Sequence, residues 1–263
     1  MLVTDELVPS TWGTFWDHFG ETLVRLLEIK EGSKVLDVGT GGGANLYPAA
    51  KRVGQTGFVT GLELCDHCVD KANGEIDRCR INNAKVIHKD ATKTDFSDAS
   101  FDYVIAGFIG WDDYFDFKTL KFVAEDVLTK EILRLLKPGG RFGLSTWLNQ
   151  QDLDWVKRFL NSHDIECRSN YSSEHEVGWR IIMKDTGLTN LRFVTEIYHY
   201  TFPTVDFWWK EMMDYNWIED TDDSEVITPE IKSKAFEAIK EHMTDDGGIL
   251  FSRTAIFMTA QKS

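Results

Sequence analysis

From Lys34 onward the chain alternates short apolar runs with stretches whose apolar residues recur every three or four positions. Unbroken apolar runs suit strands covered on both faces, and a 3.6-residue period suits the helices that cross between them. The pattern therefore predicts a parallel α/β sheet. Strands are expected at Lys34–Val38, Phe58–Leu62, Lys85–His88, Phe101–Gly107 and Arg141–Trp147, with helices at Leu46–Val53 and Asp66–Arg80 between the first three. Pro48 is tolerable in a first helical turn. Leu120–Leu136 carries Val123, Val127, Leu128, Ile132, Leu135 and Leu136 at helical spacing, and Lys137-Pro138-Gly139-Gly140 then marks a turn.

The second half is less regular. Gln151–His163 and Glu174–Thr186 read as helices, and Arg192–Phe202 alternates residue by residue like a strand. Pro229–His242 reads as a helix with proline at a permitted early position, and Ile249–Ala260 as the last strand. Residues 1–263 are expected to form one domain. Residues 1–30, with a helix opening at Trp12, would be an N-terminal helical cap, and the aromatic-rich stretch 203–248 an inserted cap between the last two strands.

Composition narrows the function. The 42% hydrophobic and 27% charged content is that of an ordinary soluble domain. A net charge of −14, from 29 Lys+Arg against 43 Asp+Glu, argues against a nucleic-acid partner, because Lys and Arg carry phosphate binding. The Met1–Glu6 start lacks the basic and apolar run of a signal peptide, and no stretch approaches the ~18 apolar residues of a membrane span. A cytoplasmic protein is expected, with Cys65, Cys68, Cys79 and Cys167 as reduced thiols. Cys65-Asp66-His67-Cys68 has no second cysteine pair to complete a zinc site, so no metal is expected.

The chemistry concentrates in Val35-Leu36-Asp37-Val38-Gly39-Thr40-Gly41-Gly42-Gly43-Ala44. A strand running into clustered glycines before a helix exposes backbone N–H groups to a ligand. Gly39-x-Gly41-x-x-Ala44, with Glu63 ending the second strand, also fits a dinucleotide site, so two cofactors remain open on these residues alone. Three features separate them. Asp37 precedes the glycines, where a carboxylate would repel a pyrophosphate but tolerate a sulfonium and an amino-acid tail. Lys89-Asp90-Ala91 follows the third strand with an acceptor for an adenine amino group, and Leu136-Lys137-Pro138-Gly139-Gly140 precedes the fifth.

On these residues the sequence resembles the class I S-adenosylmethionine-dependent methyltransferases, and is similar to the ubiquinone/menaquinone-type small-molecule methylases. The match is specific over Gly32–Trp147 and looser over Ile181–Lys262. The resemblance implies a Rossmann-like seven-stranded sheet of order 3-2-1-4-5-7-6, last strand antiparallel, with a helical cap. It implies S-adenosyl-L-methionine as cofactor and S-adenosyl-L-homocysteine as product. Asp37, Gly39, Thr40, Gly41 and Gly43 would hold the methionine part of the donor, and Glu63 the ribose hydroxyls. Leu64 would lie on the adenine, Asp90 and Ala91 would take its edge, and Gly107 would border the methyl group.

Ala106-Gly107-Phe108-Ile109-Gly110-Trp111 follows the fourth strand where nucleobase amino-methylases carry Asn/Asp-Pro-Pro-Tyr. A small apolar or aromatic acceptor is expected instead, with O- or C-methylation favoured. Trp12, Trp16, Phe108, Trp111 and Trp208 are candidates to line its pocket; His18, Asp112 and His199 are candidates for a general base. A nicotinamide-dependent oxidoreductase and a non-catalytic binder of the same donor are the competing readings.

Overall fold

The computed structural model describes residues 15–167, 173–214, 217 and 226–263. Strands β1 (Lys34–Val38), β2 (Phe58–Glu63), β3 (Ala84–His88) and β4 (Phe101–Gly107) pair in parallel. Helices α2 (Leu46–Val53) and α3 (Asp66–Arg78) connect the first three. The register brings Val38 beside Leu62 and Ala106, and Glu63 beside His88. The carboxyl ends of these strands therefore form one edge, where open α/β sheets bind ligands. Helix α1 (Phe15–Leu27) precedes them and buries Phe19, Leu23, Val24 and Leu27.

The helix expected from Leu120 begins only at Val127, as α4 (Val127–Leu135). Leu120 has φ 58°, a left-handed conformation a helix excludes, and the Asp126 carboxylate caps the first turn through the Thr129 N–H at 2.8 Å. Upstream lies a small hairpin, β5 (Phe115–Asp116) and β6 (Lys121–Phe122). The Asp116 carboxylate closes it by accepting the Lys118 and Thr119 N–H groups at 2.8 and 3.2 Å.

Lys137-Pro138-Gly139-Gly140 is likewise not a turn between elements. It is an irregularity inside one long strand, β7 (Leu136–Gln150), whose partners on β4 jump from Phe101 opposite Leu136 to Tyr103 opposite Arg141. Proline without an N–H and Gly139 at φ 76° suit such a bulge.

Beyond β7 come α5 (Gln151–Asn161), α6 (Glu176–Ile182), β8 (Leu188–Phe202), α7 (Val205–Met213) and α8 (Pro229–Ala238). A single 3₁₀ turn (Ile239–His242) and β9 (Ile249–Lys262) complete the chain. The seven-stranded sheet runs β3-β2-β1-β4-β7-β9-β8, which is the expected order once the hairpin strands are set aside. Gln261 bonds the Gly139 carbonyl at the start of β7, whereas Ser252 bonds Gln151 just past its end, so β9 is antiparallel to β7.

The chain falls into two compact units: Met1–Thr146 with Glu174–Val194 and Ile256–Ser263, and Trp147–Ser173 with Thr195–Ala255. In the first, Leu36, Val38, Val104, Phe142 and Leu144 from the sheet pack with Ile132 and Leu135 of α4 and Trp179 of α6. In the second, Trp155 and Phe159 of α5 pack with Trp208, Trp209 and Met212 of α7, Ile239 and Phe251. The stretch 203–248 thus shares its core with α5. Here the fully buried Asp152 receives Arg253 at 2.6 and 3.0 Å and the Tyr200 hydroxyl at 2.6 Å. Burial drives the Tyr200 phenol far above its ordinary range. No helix among the described residues is long and apolar enough to cross a membrane.

Helix α1 reaches the glycine segment by backbone contact. A Cβ at Gly20 would lie 1.9 Å from the Ala44 carbonyl oxygen. Gly20→Ala should therefore cost about 1–3 kcal/mol by forcing helix and loop apart, lowering the melting temperature by roughly 3–10 °C. A calorimetric scan that leaves the midpoint unmoved would show that this approach is not a constraint.

Candidate active site

After Val38 the chain cannot continue as a strand. Gly39 (φ 65°) and Gly41 (φ 49°) both take left-handed backbone, and the Thr40 N–H donates to the Leu62 carbonyl at 2.9 Å, binding the turn to β2. A Cβ at Gly39 would lie 2.3 Å from Ile109 Cγ2, so that glycine is required by its neighbour. A Cβ at Gly41 would meet nothing within 4 Å. Gly41 faces open space.

Two carboxylates serve this turn. Asp37 is 0% exposed, and one of its oxygens accepts the Thr40 hydroxyl. The other is buried without a hydrogen bond of good geometry, with the Asn45 side chain acting on it from nearby. Burial, reinforced by the Glu63 charge, raises Asp37 to about 7 against the lowering effect of Thr40 and Asn45. Asp37 therefore braces the turn from behind.

Glu63, ending β2, reaches across: Oε2 accepts the Gly41 N–H at 2.9 Å, and Oε1 accepts the N–H groups of Leu64 and Cys65 at 2.9 and 3.0 Å. Leu64 beside it is 63% exposed. Asp90 is exposed and closes its own turn, its Oδ1 accepting the Thr92 N–H and hydroxyl at 2.8 and 2.7 Å. Ala91 is half-buried against the core.

A cavity of about 230 Å³ opens at the turn, lined by Trp16, Gly39, Thr40, Gly41, Asn45 and Phe108, among others. Trp16 and Phe108 meet edge to face at 5.6 Å, and Phe19 backs Phe108 at 5.5 Å. Gly107 also lines the cavity, and a Cβ there would lie 2.3 Å from Asn45 Nδ2. A larger groove, about 650 Å³, lies beside Gly54 and Asn83 at the amino ends of β2 and β3, away from these groups.

The other expected site residues fall elsewhere. Trp111 is 2% exposed, its indole N–H donating to Asp126 at 3.0 Å and its ring against Trp179 at 5.0 Å, so it is core of the first unit. Trp208 is 0% exposed in the second unit's core, packed on Trp155 and Phe251. Both rings were expected at an acceptor pocket; packing has claimed them. Trp12 lies outside the described residues. His18 lines a separate groove with Glu21, Arg25 and Lys51, Asp112 is exposed, and His199 is exposed on β8 in the second unit.

Cys65 and Cys68 are joined as a disulfide, Cα atoms 5.1 Å apart, which corrects the expectation of four reduced thiols. The first turn of α3 folds residue 68 back over residue 65, within the span a disulfide needs, and the Cys68 N–H donates to Cys65 Sγ at 3.2 Å. Cys79 and Cys167 remain thiols.

Three polar groups were missed by sequence reasoning. Asn45 is 6% exposed under Gly107. Ser145, opposite Gly107 in the β4–β7 register, buries a hydroxyl without a hydrogen bond. Glu174 is 3% exposed, with Oε1 accepting the Trp111 N–H at 2.8 Å and Oε2 the Thr146 hydroxyl at 2.6 Å. An acidic residue just before a helix looks like an ordinary first-turn charge, so only the fold reveals Glu174.

A protein-family model described as a methyltransferase domain matches residues 29–213, and the chain belongs to that family. It is 37% identical over 112 residues to demethylmenaquinone methyltransferases from Staphylococcus aureus strains, a match over 43% of this chain and 42% of theirs. The chain therefore spans less than half the length of these relatives in that match. The YcgJ protein of Bacillus subtilis superposes with a TM-score of 0.60 at 17% identity, over 93% of this chain and 98% of that one. Geranyl diphosphate C-methyltransferase from Streptomyces coelicolor, solved with S-adenosyl-L-homocysteine, gives 0.54 at 18%, over 94% and 76%. At such identities these two share the fold.

The raised Asp37 carboxyl has a consequence for stability. The folded chain binds this proton up to about pH 7, whereas the unfolded chain releases it near the ordinary aspartate value of 3.8. The folded state's advantage is thus full below pH ~4 and is lost as pH rises through 7. Asp37→Asn, which keeps an acceptor for Thr40, should gain on the wild type by roughly 1–4 kcal/mol between pH 4 and 8. Urea unfolding of both proteins across that range, giving a constant difference, would refute the shift.

Proposed function

We propose that this chain is an S-adenosyl-L-methionine-dependent methyltransferase acting on a small apolar or aromatic molecule, by O- or C-methylation, with S-adenosyl-L-homocysteine as product. The observation that carries it is Glu63, which joins the glycine turn of β1 to the end of β2 while the exposed Leu64 lies beside it. The donor's parts fit this arrangement. The backbone around Gly39–Gly41 suits the methionine portion, with Gly41 facing open space. The Glu63 oxygens retain lone pairs for ribose hydroxyls, Leu64 offers an apolar face to adenine, and Asp90 and Ala91 offer its edge polar partners.

A dinucleotide is the weaker reading. Its diphosphate at this turn would approach the Glu63 carboxylate, which already takes the Gly41 N–H. The repulsion between those like charges is costly in a part-buried site.

When bound, the donor supplies an electrophilic methyl group on a positively charged sulfur. The protein's part is to position and desolvate. Trp16 and Phe108 wall the cavity with aromatic rings, groups that exclude water and whose π-systems attract a cation. Among the described lining residues there is no Asp, Glu or His, which supports catalysis by alignment more than by a general base. An apolar acceptor is favoured by this wall, and by the demethylmenaquinone methyltransferases among the relatives and the geranyl diphosphate C-methyltransferase among the fold neighbours.

Calorimetric titration tests the reading. S-adenosyl-L-homocysteine should bind and NAD(H) should not. Glu63→Ala should weaken the former by about tenfold or more, the loss of a charge-assisted hydrogen bond of ~1.5–3 kcal/mol. Binding of NAD(H) in its place, or equal affinity in the variant, would overturn the assignment.

A further inference from the structure

The turn after β4 is held at several points and strained between them. Phe108 has φ 53°, unusual for an aromatic residue, and Gly110 has φ 75°. At one end the Phe108 N–H donates to the Ser145 carbonyl at 2.8 Å, and Ile109 fills the space that a side chain at Gly39 would need. At the other end, the Trp111 N–H is held by Glu174, 63 positions away in sequence. The second Glu174 oxygen takes the Thr146 hydroxyl of β7, one residue past the last β4–β7 pair, so one side chain ties the turn to that strand. The charge acting on this carboxylate is Asp112, of like sign, and burial raises it to about 7. Burying an acid this way is unfavourable and calls for a reason.

Phe108 is also a wall of the cavity, and Ile109 backs its glycine floor. We propose that Glu174 is a positioning residue for methyl transfer. By anchoring Trp111 it holds the Gly107–Trp111 turn in its left-handed conformation, keeping Phe108 and Ile109 against the donor cradle. This rests on the donor reading above. The carboxylate acts through the turn and does not line the cavity itself.

The test uses the full chain and three variants. Glu174→Leu removes both hydrogen bonds while filling similar volume. Glu174→Gln preserves both, since its carbonyl can accept from Trp111 and its amide can donate to the Thr146 hydroxyl. Thr146→Val removes one anchor and serves if Glu174→Leu does not fold. Affinity for S-adenosyl-L-homocysteine is measured by calorimetry, and amide hydrogen exchange is followed at Phe108, Ile109 and Trp111, with β1 and β2 as the internal reference.

Glu174→Leu is expected to weaken binding about fivefold or more and to speed exchange in the turn about tenfold, with the reference strands unchanged. Thr146→Val should do the same to a lesser degree, and Glu174→Gln should restore wild-type values. Unchanged affinity and exchange in Glu174→Leu and Thr146→Val would overturn the proposal. So would a loss of affinity matched by equal loss of protection in β1 and β2, which marks a purely structural role. If the wild type binds no S-adenosyl-L-homocysteine, the donor reading fails and this role fails with it. The exchange data need no ligand and report separately whether Glu174 anchors the turn.

Discussion

Backbone N–H groups at the carboxyl end of a parallel sheet have no further strand to pair with, and here one carboxylate, Glu63, collects three of them. The glycine turn, the end of β2 and the start of α3 are thereby fixed to a single side chain. Each neighbour must then conform. Gly39 leaves room for Ile109, Gly20 lets α1 touch the Ala44 carbonyl, and Gly107 leaves room for Asn45. The cavity is what remains once those approaches are satisfied.

The same sheet edge hides two more acids, Asp37 and Glu174, each raised to about 7 by burial. Neither faces a cation among the groups that shift it; Glu174 is satisfied by a hydroxyl and a backbone N–H, whereas Asp37 takes a hydroxyl on one oxygen and keeps the other buried without a hydrogen bond of good geometry. A low-dielectric surround strengthens such hydrogen bonds and penalises any that are lost. The first unit therefore holds its loops with short, buried, directional contacts, and leaves Trp16, Leu64 and Phe108 accessible above them.

The strands β1 to β4 and the glycine turn were legible because buried parallel strands are continuously apolar and left-handed turns demand glycine. Boundaries failed where a local contact outweighed the periodic pattern. The apolar spacing of Leu120–Leu136 begins inside a hairpin that Asp116 closes, and the helix starts only after its Asp126 cap. Pro138 and the two glycines after it look like a turn, yet β7 absorbs them as a bulge against β4. Rings were the least legible: Trp16, Trp111 and Trp208 are alike in sequence, but one stands at the cavity and two are core.

By itself the sequence determined the parallel strands, the glycine turn and the acids at three successive strand ends, because period, left-handed backbone and strand termini are local properties of the chain; the order of the sheet came from the family resemblance. Only the tertiary structure decided which acids point outward and that Glu174 grips Trp111 from 63 residues away. Those outcomes depend on distances across the fold and on burial, and neither is encoded within any short window of residues.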